Sequence, residues 1–296
     1  MRPAFLLLAL TLAAAPAAAQ PVSLKTPPAV IADPTPDTAF PARLEVLHIP
    51  SGGVKINGIA LVAAGPGPHP VFVLFHGLPG NEKNLDLAQA VRRAGWTVVT
   101  INYRGSWGSP GEFRFGQNLE DARATLAYVR DPAVARTLRI DPARMVVAGH
   151  SMGGWVTAHT AAAEPGLLGA VTFSAADVAM RGVQGRDNPR AVAAAMDGNR
   201  EALAGVTGES MAAELIAHGE DWRLDRLGPQ LKDLPMLVLH SDDGFRPDSE
   251  RMIAAVKAAG GTGIQEAHVA TDHGWSDHRI ALESLVINWL DGLGAK

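Results

Sequence analysis

Residues 145–154 read Met-Val-Val-Ala-Gly-His-Ser-Met-Gly-Gly, and this decapeptide decides the fold. Met145 to Ala148 is a short apolar run, the mark of a strand buried on both faces. Gly149-His150-Ser151-Met152-Gly153 follows, and a helical pattern continues to Ala163. A strand turning directly into a helix forces its corner residue into a strained backbone, and side chains beside the corner would strike neighbouring elements. The glycines meet that requirement. The corner holds the Ser151 hydroxyl above the sheet edge. The Met152 amide, at the helix start, points to where an oxyanion would form.

Outward from this corner, apolar strands alternate with helices. Residues 43–49 and 53–64 alternate as two antiparallel strands, with 51–53 as their turn. Strands are then expected at 71–75, 96–101, 169–173, 235–239 and 263–267. Helices are expected at 85–94, 119–129, 248–259 and 277–290. The 119–129 helix is expected to carry acidic residues in its first turn, where they suit the helix dipole. The pattern implies an α/β fold with a mostly parallel central sheet and helices on both faces. Residues 175–234 break the rhythm with two or three helical segments and no strand, and are expected to form a small helical cap over the sheet's C-terminal edge. The domain proper is expected to span 42–296.

The N-terminus reads differently. Arg2, the apolar run from Ala4 to Ala15, and Ala17-Ala18-Ala19 before Gln20 have the form of a secretory signal peptide over residues 1–19. The run is too short to span a bilayer. The expectation is therefore an exported protein, periplasmic or secreted, without stable membrane association once the leader is cleaved. Residues 20–41 are proline-rich and read as an arm. The chain has 296 residues, 47% of them hydrophobic, enough to bury a large core. The formal net charge of −4 gives no case for a nucleic-acid partner. With no cysteine, disulfides and thiolate chemistry are excluded. Oligomeric state is not encoded legibly.

A serine nucleophile needs an acid, a base and a second oxyanion donor. Phe75-His76-Gly77-Leu78-Pro79-Gly80 ends the first parallel strand, and its Leu78 amide is the candidate donor beside Met152. His76 is read as a brace for that loop. His240-Ser241-Asp242-Asp243-Gly244 follows the 235–239 strand. Asp243 is favoured as the acid by its offset from His240, and Asp242 is the alternative. Thr271-Asp272-His273-Gly274-Trp275 follows the last strand; His273 is the candidate base and His278 its rival. His48, His69 and His218 have structural explanations. No His, Asp and Glu cluster has metal spacing, so neither metal nor cofactor is expected.

Together, His76 to Gly80, Tyr103-Arg-Gly-Ser-Trp-Gly-Ser-Pro-Gly111, Asp141-Pro-Ala-Arg144, Gly149 to Gly154, the paired aspartates and Asp272-His-Gly274 resemble the α/β-hydrolase superfamily. The branch that they resemble is the prolyl-oligopeptidase-like and dienelactone-hydrolase-like serine hydrolases, over about residues 60–293. The resemblance implies a triad of Ser151, Asp243 and His273 and oxyanion donors at Leu78 and Met152. It also implies a pocket lined by Trp107, with His150 beside the nucleophile, and a small-molecule acyl substrate. Oligopeptidases of that branch carry a β-propeller before the catalytic domain, whereas about 40 residues precede the core after the leader here. An esterase is therefore the leading expectation and a peptidase or amidase the second. A binding protein with an idle triad is the third. Asp277 and Arg279, in the long histidine loop, have no role legible in the sequence.

Overall fold

The computed structural model describes residues 25–294. The proposed leader and the first residues of the arm lie outside them. In chain order the elements are α1 (Pro28–Ile31), β1 (Arg43–Ser51), β2 (Val54–Val62), β3 (His69–Phe75), α2 (Leu85–Arg93), β4 (Thr97–Ile101), α3 (Phe115–Arg130), α4 (Pro132–Leu138), β5 (Ile140–His150) and α5 (Met152–Ala163). There follow β6 (Gly169–Phe173), α6 (Val178–Gln184), α7 (Pro189–Asp197), α8 (Gly208–His218), a 3-10 turn over Leu224–Leu227, α9 (Gly228–Leu231), β7 (Met236–His240), α10 (Arg246–Ala258), β8 (Ile264–His268) and α11 (Arg279–Gly294).

The strands form one sheet in the order β1-β2-β4-β3-β5-β6-β7-β8. The β1–β2 and β2–β4 pairs are antiparallel and every later pair is parallel. This is the expected mostly parallel sheet. The inner strands β4, β6 and β7 are buried along their whole length because both faces of the sheet are covered there, and successive residues feed opposite layers. Val71, Val73 and Phe75 of β3 enter one core with α3, α5 and α10. Phe72 and Leu74 enter the other, with α2 and α11. Val147 and Val238 repeat the first layer; Val146 and Leu237 repeat the second.

Strand order reverses between β3 and β5. The chain leaves β3 toward β4 on one side, and β5 then pairs with the other side of β3. A crevice opens at such a switch point, beyond the carboxyl ends of the strands. Phe75 pairs with Gly149 in register, so the loops leaving β3 and β5 start side by side.

Two expectations are corrected. Helix α3 begins at Phe115, a turn before Leu119, and its first turn carries no acidic side chain. Glu120 and Asp121 fall in the second turn, where Asp121 is fully buried and binds Arg104 at 2.7 Å. The strand expected over 53–64 ends at Val62. In the arm, Arg93 Nε donates to Ala29 O at 2.5 Å, and α1 packs against α2 and α11.

Between β6 and β7 the chain makes four helices and no strand. This segment is tied to the C-terminal edge of the sheet. Leu203 bridges Ser106, Trp107 N donates to Ala202 O, and Asn81 Nδ2 donates to Glu201 Oε1 at 3.0 Å. Glu214 of α8 accepts from the Phe115 and Gly116 amides at 3.1 and 2.9 Å. Trp155 Nε1 of α5 donates to Trp222 O at 2.8 Å.

Candidate active site

Ser151 stands at the corner between β5 and α5 with φ 56° and ψ −124°, a backbone that side chains rarely adopt. A Cβ at Gly149 would lie 2.0 Å from Gly153 O, and one at Gly153 would lie 2.1 Å from Phe75 O. The tight corner therefore requires glycine at both positions. Ser151 caps α5 without a side-chain hydrogen bond into the helix, which leaves its hydroxyl uncommitted to the cap. Its carbonyl accepts from Ala176 N, fixing the start of the β6–α6 segment against the corner.

The loop after β3 lies directly against the serine. A Cβ on Gly77 would sit 2.9 Å from Ser151 Cβ and 3.4 Å from its Oγ. Leu78 therefore follows a backbone in contact with Ser151, and Met152, buried, opens α5 on the other side. Two backbone donors can converge on one oxygen from these positions. His76 braces the loop. It is 1% exposed, donates from Nδ1 to Gly77 O at 2.8 Å, and packs on Tyr103. Burial pushes its pKa down to about 4, so the ring is neutral at pH 7.

His273 Nδ1 lies 2.7 Å from Asp243 Oδ2. The Asp243 side chain is 2% exposed, and its Oδ1 accepts from Phe245 N at 2.9 Å. Burial alone would raise this carboxyl's pKa. The His273 bond, the Phe245 amide and the Ser241 and Ser174 hydroxyls outweigh it and hold the group well below the usual carboxylate range. An ionised carboxylate only accepts, so the His273 proton sits on Nδ1 and leaves Nε2 with a free lone pair. Asp242 points elsewhere: it is exposed and pairs with His268 at 2.8 Å.

His150 joins the serine corner to the histidine loop. Its Nε2 donates to His273 O at 2.7 Å, and the two rings are 4.6 Å apart. It is 5% exposed and stacks on Phe173, so it backs His273 from the interior instead of lining an open pocket. Burial, then the neighbouring His273, push its pKa down to about 3. Among the described residues no hydrogen bond joins Ser151 Oγ to the His273 ring. In unliganded sites such contacts are often long and tighten only when substrate binds.

Trp107, half-exposed with φ 48°, donates from Nε1 to Pro79 O at 2.7 Å, and the Lys83 ammonium lies 4.6 Å above its ring. It therefore flanks the 76–80 loop. His278 pairs with Asp277 at 2.9 Å just before α11, and no hydrogen bond or ring contact brings it to Ser151 or Asp243 among the described residues. Arg279, without a role legible in sequence, binds Asp86 at 2.5 Å, Asn84 Oδ1 at 3.0 Å and Gly274 O at 2.8 Å, so it pins the histidine loop to α2. Asp277 accepts from Thr271 Oγ1 at the loop's other end. The reading of the residues missed Phe245, whose ring lies 5.1 Å from that of His273, and the buried trio Ser174, Ser241 and Trp275. Among the described residues no three His, Asp or Glu side chains converge as metal ligands.

A family profile described as alpha/beta hydrolase fold matches residues 81–276, about two-thirds of the chain. An uncharacterized protein of Mycobacterium tuberculosis is 26% identical over 133 residues, 45% of this chain and 46% of that protein. The match thus spans about half the length of that curated relative. Among solved structures, Est1E of Butyrivibrio proteoclasticus with ferulic acid bound superposes with TM-score 0.65 at 17% identity, over 84% of this chain and 100% of that one. The Pyrococcus horikoshii acylaminoacyl peptidase superposes with TM-score 0.62 at 17% identity, over 85% of this chain and 41% of that one. At these identities the likeness is one of fold. The profile match covers β4 to β8, including the serine corner, the paired aspartates and the histidine loop, and with it the chain belongs to the alpha/beta hydrolase fold family.

Proposed function

We propose that this chain is a serine hydrolase that cleaves carboxylic esters through an acyl-enzyme, with Ser151 as nucleophile, His273 as general base and Asp243 as the acid that orients the base. The observation that carries this reading is the 2.7 Å bond from His273 to buried Asp243, in a loop held by the residue preceding the strained serine. His273 Nε2 takes the Ser151 proton as Oγ attacks the ester carbonyl carbon. The carbonyl electrons move onto oxygen, where the Leu78 and Met152 amides stabilise the charge; each donor is worth about 10²–10³ in turnover. The carbonyl re-forms, the C–O bond to the alcohol breaks, and His273 returns the proton to the leaving oxygen. A water, deprotonated by the same nitrogen, then releases the acid and restores the serine. Trp107 at the rim contacts the substrate.

The fold is shared with a carboxylesterase and with an acylaminoacyl peptidase alike, so it supports hydrolysis of an acyl bond and not ester over amide. Paired assays with p-nitrophenyl acyl esters and aminoacyl-nitroanilides separate them. A kcat/KM for anilides equal to that for esters would replace esterase with peptidase. Ser151→Ala should abolish turnover and labelling by a fluorophosphonate while leaving the melting curve in place. Stoichiometric labelling of that variant refutes the nucleophile. Export belongs to the same proposal: the protein recovered from a secreting host should begin at Gln20, as its intact mass will show.

A further inference from the structure

Three loop ends are cross-tied beside Asp243. Trp275 Nε1 donates to Ser174 Oγ at 3.0 Å, and Ser174 Oγ lies 2.6 Å from Ser241 Oγ. Ser174 follows β6, Ser241 follows β7 two residues before Asp243, and Trp275 stands two residues after His273. All three are buried: Trp275 is 0% exposed, Ser174 3% and Ser241 2%. Ser174 and Trp275 hold φ of 46° and 58°, in the left-handed region. Such strain persists only where the surroundings over-determine it, and it collects at functional sites.

The donor inventory constrains this cluster. An indole nitrogen can only donate and an ionised carboxylate can only accept. Ser174 accepts from the indole, so its single proton is directed away from Trp275. Either hydroxyl can donate in the 2.6 Å contact, and the hydroxyl proton that this contact does not use is left for the carboxylate. With Phe245 N and His273 Nδ1, the donors then surround Asp243.

We propose that Trp275, Ser174 and Ser241 are positioning residues, a hydrogen-bonded cluster that presents a hydroxyl proton to the Asp243 carboxylate, fixes its orientation and so keeps the His273 proton on Nδ1. This rests on the assignment of Ser151, Asp243 and His273 above. Both hydroxyls also help to hold the Asp243 carboxyl below its ordinary range, after burial, which raises it, and the His273 bond. Donors share the carboxylate's negative charge. When they are removed, more of it is directed at the imidazole and favours the imidazolium. The base is then free only at higher pH.

The test is the pH dependence of kcat/KM with a p-nitrophenyl ester for Ser174→Ala, Ser241→Ala, the double variant and Trp275→Phe. The last removes the N–H and keeps a ring. The charged and titratable groups that face the pair are unchanged in every variant. They are His150 from β5, whose ring lies 4.6 Å from that of His273, Arg279 from α11, whose charge reaches His150, and Arg181, whose guanidinium lies 5.6 Å from the Phe245 ring. The double variant should lose about tenfold in kcat with KM nearly constant, and its acid limb should move up by about half a pH unit. Trp275→Phe should give a smaller shift in the same direction. A limb that stays in place while kcat falls, or a loss carried by KM, overturns the proposal. If the serine variants fail to fold, Trp275→Phe decides by the same criterion. An inactive wild type that resists the fluorophosphonate would instead sink the assignment of the triad.

Discussion

Asp242 and Asp243 are adjacent in sequence, yet their surroundings give them different chemistry. The Asp243 side chain is 2% exposed and accepts from His273 and from the Phe245 amide, whereas that of Asp242 is 63% exposed and pairs with His268. An amide in place of Asp243 presents a donor as well as an acceptor to His273 and permits the wrong tautomer. Asp243→Asn should therefore cost about 10³–10⁴-fold in kcat. An exposed ion pair contributes at most about 1 kcal/mol. Asp242→Asn should leave kcat within a few-fold, and equal losses in the two variants would refute the assignment. The sequence favours Asp243 by its offset from His240 and keeps Asp242 as the alternative, because both fall in the bend after β7, where the packing of the loop against His273 makes the choice. Ser174 and Trp275 offered no signal, since their partnership joins positions 101 residues apart.

The elements framing the site were readable from apolar runs and periodicity, and their ends were not. Helix α3 shows why. Its first amides, on Phe115 and Gly116, are satisfied by the Glu214 carboxylate of α8, 99 and 98 residues away. The N-cap, Arg114, provides no side-chain cap, so local sequence predicts a later start. The carboxylate also meets the positive end of the helix dipole. This latch holds the segment between β6 and β7 onto the sheet domain, together with Trp222, which packs over Gly116. Glu214→Ala leaves two amides without their acceptor, and hydrogen bonds to a charged group are worth about 1.5–3 kcal/mol. The variant should lose stability of that order in a denaturant titration, with faster amide exchange in α8 and at the start of α3. Glu214→Gln, which keeps an acceptor but not the charge, should lie between. Unchanged exchange in both elements would show that the latch is not what secures the segment.

Across the whole molecule, pH sets two groups of buried side chains against each other. Burial holds His76 at about 4 and His150 at about 3, against an ordinary 6.5. The unfolded chain binds these protons and the folded chain refuses them, so the stability they provide is present above pH 6.5 and is lost as pH falls. Asp177 and Glu283 act the other way. Burial raises each to about 6, from 3.8 and 4.5. Their contribution is full below pH 4 and is lost as pH rises through 6. The histidine shifts are the larger, so the wild-type melting temperature should fall as pH drops below about 6.5. The acid contribution emerges only by difference. Asp177 is 3% exposed at the entrance to α6. It accepts from Leu224 N at 3.0 Å through Oδ2, while Oδ1 lacks a protein partner. An asparagine keeps an acceptor for Leu224 and carries no charge to desolvate. Asp177→Asn should therefore be more stable than wild type by about 1–3 kcal/mol at pH 8. That advantage should shrink as pH falls from 7 toward 4, where wild-type Asp177 is itself protonated. Chemical denaturation of both proteins at pH 5 and pH 8 reads this directly. A variant less stable than wild type at pH 8, or an advantage that does not change with pH, would mean that Asp177 is held by its bonds to the 3-10 turn more strongly than burial penalises its charge.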